Sequence, residues 1–146
     1  MKKETLLREA AFILIFEKNF NPEKDCDEII GEAKTADIFD FDNGVSDEDS
    51  FDSVSAAVFK GVCGREAEFD EIISKYSDKR RIDRIPKLCL SILRLALYEI
   101  LYSENVPTNV AISEAVGLAM IYGTDSDVRF INGVLGKYAD DMEENS

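Results

Sequence analysis

The stretch that decides the fold is Ile92-Leu93-Arg94-Leu95-Ala96-Leu97-Tyr98-Glu99-Ile100-Leu101. With Ile85, Leu88 and Leu90 ahead of it, apolar side chains fall on every side of a 3.6-residue helix. Such a helix sits at the centre of its unit, with neighbours on several faces. It spans roughly Ile85 to Tyr102, and Asn105-Val106-Pro107 breaks it, because the residue before a proline is held out of the helical region. Charges on so apolar a helix need partners. Arg94 and Asn132 are the expected hydrogen-bonding groups for Glu99 and for Glu114 on the following helix.

Working outward, every other periodic segment is helical too, and no run alternates as a strand does. Toward the C-terminus, one helix covers about Asn109 to Tyr122, and Gly123 stands where a C-cap glycine belongs. Thr124-Asp125-Ser126-Asp127 offers N-caps for a last helix that reaches about Tyr138. Asn132-Gly133 falls inside it. A mid-helix glycine costs about 1 kcal/mol relative to alanine, so close packing is expected at Gly133. Toward the N-terminus, helices are expected over about Glu4–Asn19, Pro22–Lys34, Phe51–Arg65 and Ala67–Tyr76. The outcome is an all-α chain of seven helices in two small three-helix sub-bundles, roughly 1–77 and 78–139. An acidic connector, 37–50, lies inside the first, and an acidic tail, 140–146, follows the second.

The chain has 146 residues and a formal net charge of −13, which taken whole opposes nucleic-acid binding. Position changes that reading. Residues 37–53 hold seven acids and no base, and the tail adds Asp140, Asp141, Glu143 and Glu144. The rest is nearly neutral, and 75–87 carries six bases against Asp78 and Asp83. The chain has no histidine, which removes histidine triads and HExxH zinc sites. Its three cysteines, Cys26, Cys63 and Cys89, form no CxxC and read as buried reduced thiols. The acidic connector fits no EF-hand register, and no phosphate-cradling glycine loop occurs. The longest early apolar run, Ala10 to Phe16, is too short to span a bilayer. A cytoplasmic binding protein is expected, not an enzyme, without metal, cofactor or membrane contact.

The segment 92–101, Val106-Pro107, Val110-Ala111-Ile112-Ser113-Glu114-Ala115-Val116, Ala119, Tyr122-Gly123 and Phe130-Ile131-Asn132-Gly133-Val134-Leu135 stand in a fixed order. Together they resemble the NusB family, whose pattern reads ILRxAxYEL, VPxxVAINEAVELAK and FVNGVLD. The resemblance is strong over about Arg81 to Tyr138. It is fainter in the first helix, where Arg8-Glu9-Ala10-Ala11 and Leu14 fit. It marks Arg94, Glu99, Glu114, Asn132 and Gly133 as structural signature residues. It implies transcription antitermination, notably on ribosomal RNA operons, by binding boxA-type RNA together with NusE, a small-subunit ribosomal protein. The pair would join RNA polymerase through NusA and NusG.

Carried over residue by residue, the resemblance implies an RNA surface of Lys2, Lys3, Arg8 and Phe16 on the first helix and Arg129 and Phe130 on the last. Arg80, Arg81 and Arg84 are candidate extra phosphate contacts. Cations position the RNA backbone, while Phe16 and Phe130 can stack on unpaired bases or simply pack in the core. The chain departs from the family at several places. Phe16 replaces a tyrosine, Cys89 an acid, Ser113 an asparagine and Gly117 a glutamate, and the arginine run of the first helix is reduced to Arg8. Two alternatives follow: a protein-interaction module with lost RNA affinity, and a homodimer that masks the first helix.

Overall fold

The computed structural model describes residues 3–36, 51–78 and 80–145. The acidic connector, Lys2 and Lys79 lie outside the described residues. The chain divides into two compact units, Met1–Gly64 and Arg65–Ser146. Among the described residues there is no strand, and no helix is long and apolar enough to cross a membrane.

In the first unit α1 spans Lys3–Phe20 and buries Leu7, Ala10, Ala11, Phe12, Leu14 and Ile15. These positions repeat at three and four residues, which is the geometry of one helix face. Helix α2, Cys26–Thr35, starts later than the sequence suggests. Pro22 lies in the preceding turn, and the Asp25 carboxylate caps the helix by accepting from the Glu28 amide at 2.8 Å. The segment expected as one helix over 51–65 is a π-helical turn, Asp52–Ala56, that runs into α3, Ala57–Cys63. The Ala56 amide donates to the Phe51 carbonyl, five residues back, at 2.9 Å. The wide turn turns Ser55 into the core, where its hydroxyl donates to the Leu7 carbonyl of α1 at 2.7 Å. Phe51, Ala56, Phe59 and Val62 are buried with it.

The second unit holds α4 (Glu66–Tyr76), a 3-10 turn (Ile82–Arg84), α5 (Lys87–Tyr102), α6 (Thr108–Tyr122) and α7 (Asp125–Glu144). Helix α5 is its axis, packed by α4, α6 and α7, and Cys89 through Leu97 are all buried. The all-round apolar pattern required this. The divide falls at residues 64–65 rather than near 77, because α4 packs on α5 and α7.

Arg94 explains that attachment. It is 6% exposed, and its guanidinium donates twice to Asp70 and once to Glu66, each at 2.8 Å. Both acids belong to α4. The sequence placed Arg94 beside Glu99 and Glu114; the structure adds Asp70 and Glu66 of α4 as its partners. Asn132 is exposed on α7.

The acidic tail is also corrected. Helix α7 continues through Glu144. Asp141 accepts a hydrogen bond from the Tyr76 hydroxyl of α4, beside the Lys75 ammonium at 3.7 Å.

Candidate nucleic-acid interface

In the first unit the predicted residues lie along α1. Lys3 is its first residue, Arg8 follows in the second turn, and both are half-buried. Phe16 is the middle of an aromatic ladder. Its ring lies 5.8 Å from Phe12, nearly parallel, and 5.0 Å from Phe20, edge-on. Phe12 is buried, Phe16 half-buried and Phe20 exposed. The ladder arises because i and i+4 side chains meet on a helix. Phe16 thus packs and presents an edge at once.

In the second unit the chain leaves α4 through Asp78, whose φ of 56° is left-handed. Asp tolerates that region better than most residues, and its carboxylate accepts from Lys137 of α7 at 3.0 Å. The backbone then carries Arg80 to α7. Its guanidinium carbon lies 4.7 Å from the Phe130 ring centroid, a cation–π contact. Arg129, the next residue on α7, is exposed, as are Arg80, Arg81, Arg84 and Lys87. Two predicted residues 50 positions apart in sequence, Arg80 and Phe130, are therefore brought together. Arg81 pairs with Asp83 at 3.0 Å. It also lines an open groove of about 730 Å³ with Ser74, Ile82, Ile85, Lys87 and Leu90.

The start of α7 is capped. The Thr124 hydroxyl accepts from the Asp127 amide at 3.2 Å, and the Asp127 carboxylate accepts from the Thr124 amide at 2.9 Å. This is a reciprocal capping box. The Thr124 amide holds the Asp127 carboxyl below its ordinary value. The Cys89 thiol donates to the other oxygen of Asp127 at 3.4 Å. Burial, then Asp127, push that thiol up to about 12, so it stays protonated. Gly123 closes the corner. Its φ is −117°, so the left-handed C-cap expected of it is absent. A Cβ there would come within 2.9 Å of Asp127 Oδ2 and 3.0 Å of Leu88. A side chain there would have to displace the Asp127 carboxylate and the Leu88 methyl, so crowding, not backbone sign, favours the glycine.

The structural signature residues divide. Arg94 and Glu99 are buried and Glu114 is half-buried. Asn132 and Gly133 are exposed, and a Cβ on Gly133 would meet nothing within 4 Å. The close packing expected at Gly133 is not made among the described residues. The sequence reading missed the Arg80–Phe130 stack, which no local spacing encodes. It also missed the Cys89–Asp127 contact.

The NusB family model matches residues 5–140. The transcription antitermination protein NusB of Desulforudis audaxviator is 37% identical over 112 residues, which is 77% of each chain. T. maritima NusB superposes with a TM-score of 0.79 at 28% identity, over 96% of this chain and 92% of that one. A crystal structure of the antitermination factors NusB and NusE in complex with double-stranded RNA matches in fold. Its TM-score is 0.74 at 19% identity, over 94% of this chain and 96% of that one.

Proposed function

The chain belongs to the NusB family, and from that membership we propose that it is a cytoplasmic transcription antitermination factor, not an enzyme. Its work is to bind boxA-type RNA with NusE and to join RNA polymerase with NusA and NusG, including on ribosomal RNA operons. A structural relative is held in a complex of NusB, NusE and RNA, which supports the choice of partners.

The observation that carries the RNA reading is the Arg80–Phe130 stack. An arginine plane held over an aromatic ring, with exposed cations on either side in sequence, suits an unpaired base and its flanking phosphates. Arg129, Arg81 and Arg84 would take phosphates, while Lys3, Arg8 and Phe16 supply a second group on α1, with Lys2 just ahead of it in sequence. With fewer cations than an arginine-rich surface, the RNA affinity of the chain alone is modest, and NusE completes it.

Labelled boxA-type RNA titrated with the chain, with and without cognate NusE and at two salt concentrations, tests this. Tight, salt-sensitive binding that needs NusE is expected. No binding even with NusE removes the RNA reading and leaves a protein-interaction module.

A further inference from the structure

The chain that leaves α4 runs along α7 in the opposite direction. Tyr76 donates to Asp141, Asp78 accepts from Lys137 at 3.0 Å, and the Arg80 guanidinium carbon lies 4.7 Å from the Phe130 ring centroid. Lys137 and Asp141 stand seven and eleven residues after Phe130, so the three share one face of the helix. Alternate residues of the departing segment therefore meet that face, and the last of these contacts is the platform itself.

That path depends on one backbone angle. Helix α4 ends at Tyr76, and Ser77 is its C-cap. Asp78 follows with a left-handed φ of 56°, at the position that helix ends most often give to glycine. Among the described residues other than glycine, it is the only one with a positive φ. The Arg80 amide then donates to the Ser77 carbonyl at 3.1 Å. A positive φ at the second residue of such a turn marks the primed types, mirror images of the ordinary ones. The buried Ser77 hydroxyl lies 3.4 Å from the Ser74 carbonyl and 3.5 Å from that of Arg80, within reach of either. A right-handed φ at Asp78 would send Arg80 in another direction. Aspartate enters the left-handed region more readily than most residues that carry a Cβ. Its ion pair with Lys137 faces solvent and is worth little, so handedness rather than charge aims Arg80.

We propose that Asp78 is a positioning residue of the platform: its left-handed backbone directs Arg80 onto Phe130, and its own side chain makes no RNA contact. This rests on the RNA reading proposed above. The role has a sign of its own. Asp78 puts a negative charge beside a surface that holds phosphates, so by charge alone its removal tightens RNA binding. By position, only a replacement that keeps the left-handed turn can do so.

Two substitutions remove the same charge and differ in backbone. Glycine takes a positive φ freely, whereas a β-branched residue is strained there. Both also release Lys137, so that change cancels between them. With cognate NusE present, Asp78→Gly is expected to bind boxA-type RNA as tightly as the parent or more tightly. Asp78→Val is expected to bind about tenfold more weakly, the loss of one stacked contact, with a salt slope lower by about one. In an Arg80→Ala background Asp78→Val should have no further effect, because residues acting through one contact do not add. In the free chain, NMR should find the Arg80 side-chain protons shifted upfield by the Phe130 ring in the parent and in Asp78→Gly, and unshifted in Asp78→Val. If Asp78→Val, folded by circular dichroism, binds RNA as tightly as Asp78→Gly, the turn does not position the platform. A loss that persists without Arg80, or an upfield shift that survives in Asp78→Val, overturns the proposal equally. If the parent binds no RNA and the NMR difference still separates the two variants, the RNA reading fails and the positioning of Arg80 by Asp78 stands.

Discussion

Arg94 shows how one side chain settles which unit a helix joins. Its planar fork matches the Asp70 carboxylate bidentately and still reaches Glu66. Replacing it, as in Arg94→Met, strands two partly exposed carboxylates on α4. We expect a loss of about 2–3 kcal/mol in urea-induced unfolding, in line with hydrogen bonds to charged groups. Gly123→Ala should cost about 1–3 kcal/mol, since the added methyl forces Asp127 and Leu88 apart. Gly133→Ala should do the reverse and raise stability by about 0.5–1 kcal/mol, because its Cβ enters open space on an exposed helix. A Gly133→Ala variant that unfolds more readily than the parent would contradict the open face. From sequence, Arg94 and Gly133 are signature residues of the same kind and Gly123 is a C-cap glycine. Only their surroundings separate a clamp, a crowded corner and an unfilled surface.

At the scale of elements, α7 is held at both ends. Its start depends on the Thr124–Asp127 box, so Thr124→Ala should destabilise by about 1 kcal/mol. Near its other end, the Tyr76 hydroxyl beside Asp141 holds that carboxyl below its ordinary value of 3.8. In both acids the folded chain binds a proton less readily than the unfolded chain. Their contribution is therefore complete above the ordinary value and is lost as the pH falls through the lower folded one. Thermal melts should show stability falling with acidification across that range, and Asp141→Asn should flatten part of the fall. A parent melting temperature that rises on acidification would refute the sign. The length of α7 was not legible, because its final turns are acidic and solvent-facing, with a partner 65 positions away. The π-turn in front of α3 was equally hidden, since its driving contact is Ser55 with Leu7, 48 residues apart.

For the whole molecule, the proposed RNA surface makes a graded prediction. Removing the Phe130 ring by Phe130→Leu should cost about 1–3 kcal/mol of RNA binding with little change in salt dependence. Arg80→Ala should weaken binding and lower the salt slope by about one. Equal effects of both variants on the slope would deny the division into stacking and charge. By itself the sequence determined the helical class, the central place of α5 and the family pattern. Those rest on periodicity and on the order of motifs, which are properties of the chain read along its length. The tertiary structure alone decided that α4 joins the second unit, that the acidic end of the chain is helix, and that Arg80 covers Phe130. Each of these depends on which distant residue fills the space beside a side chain, and that information exists only once the helices have packed.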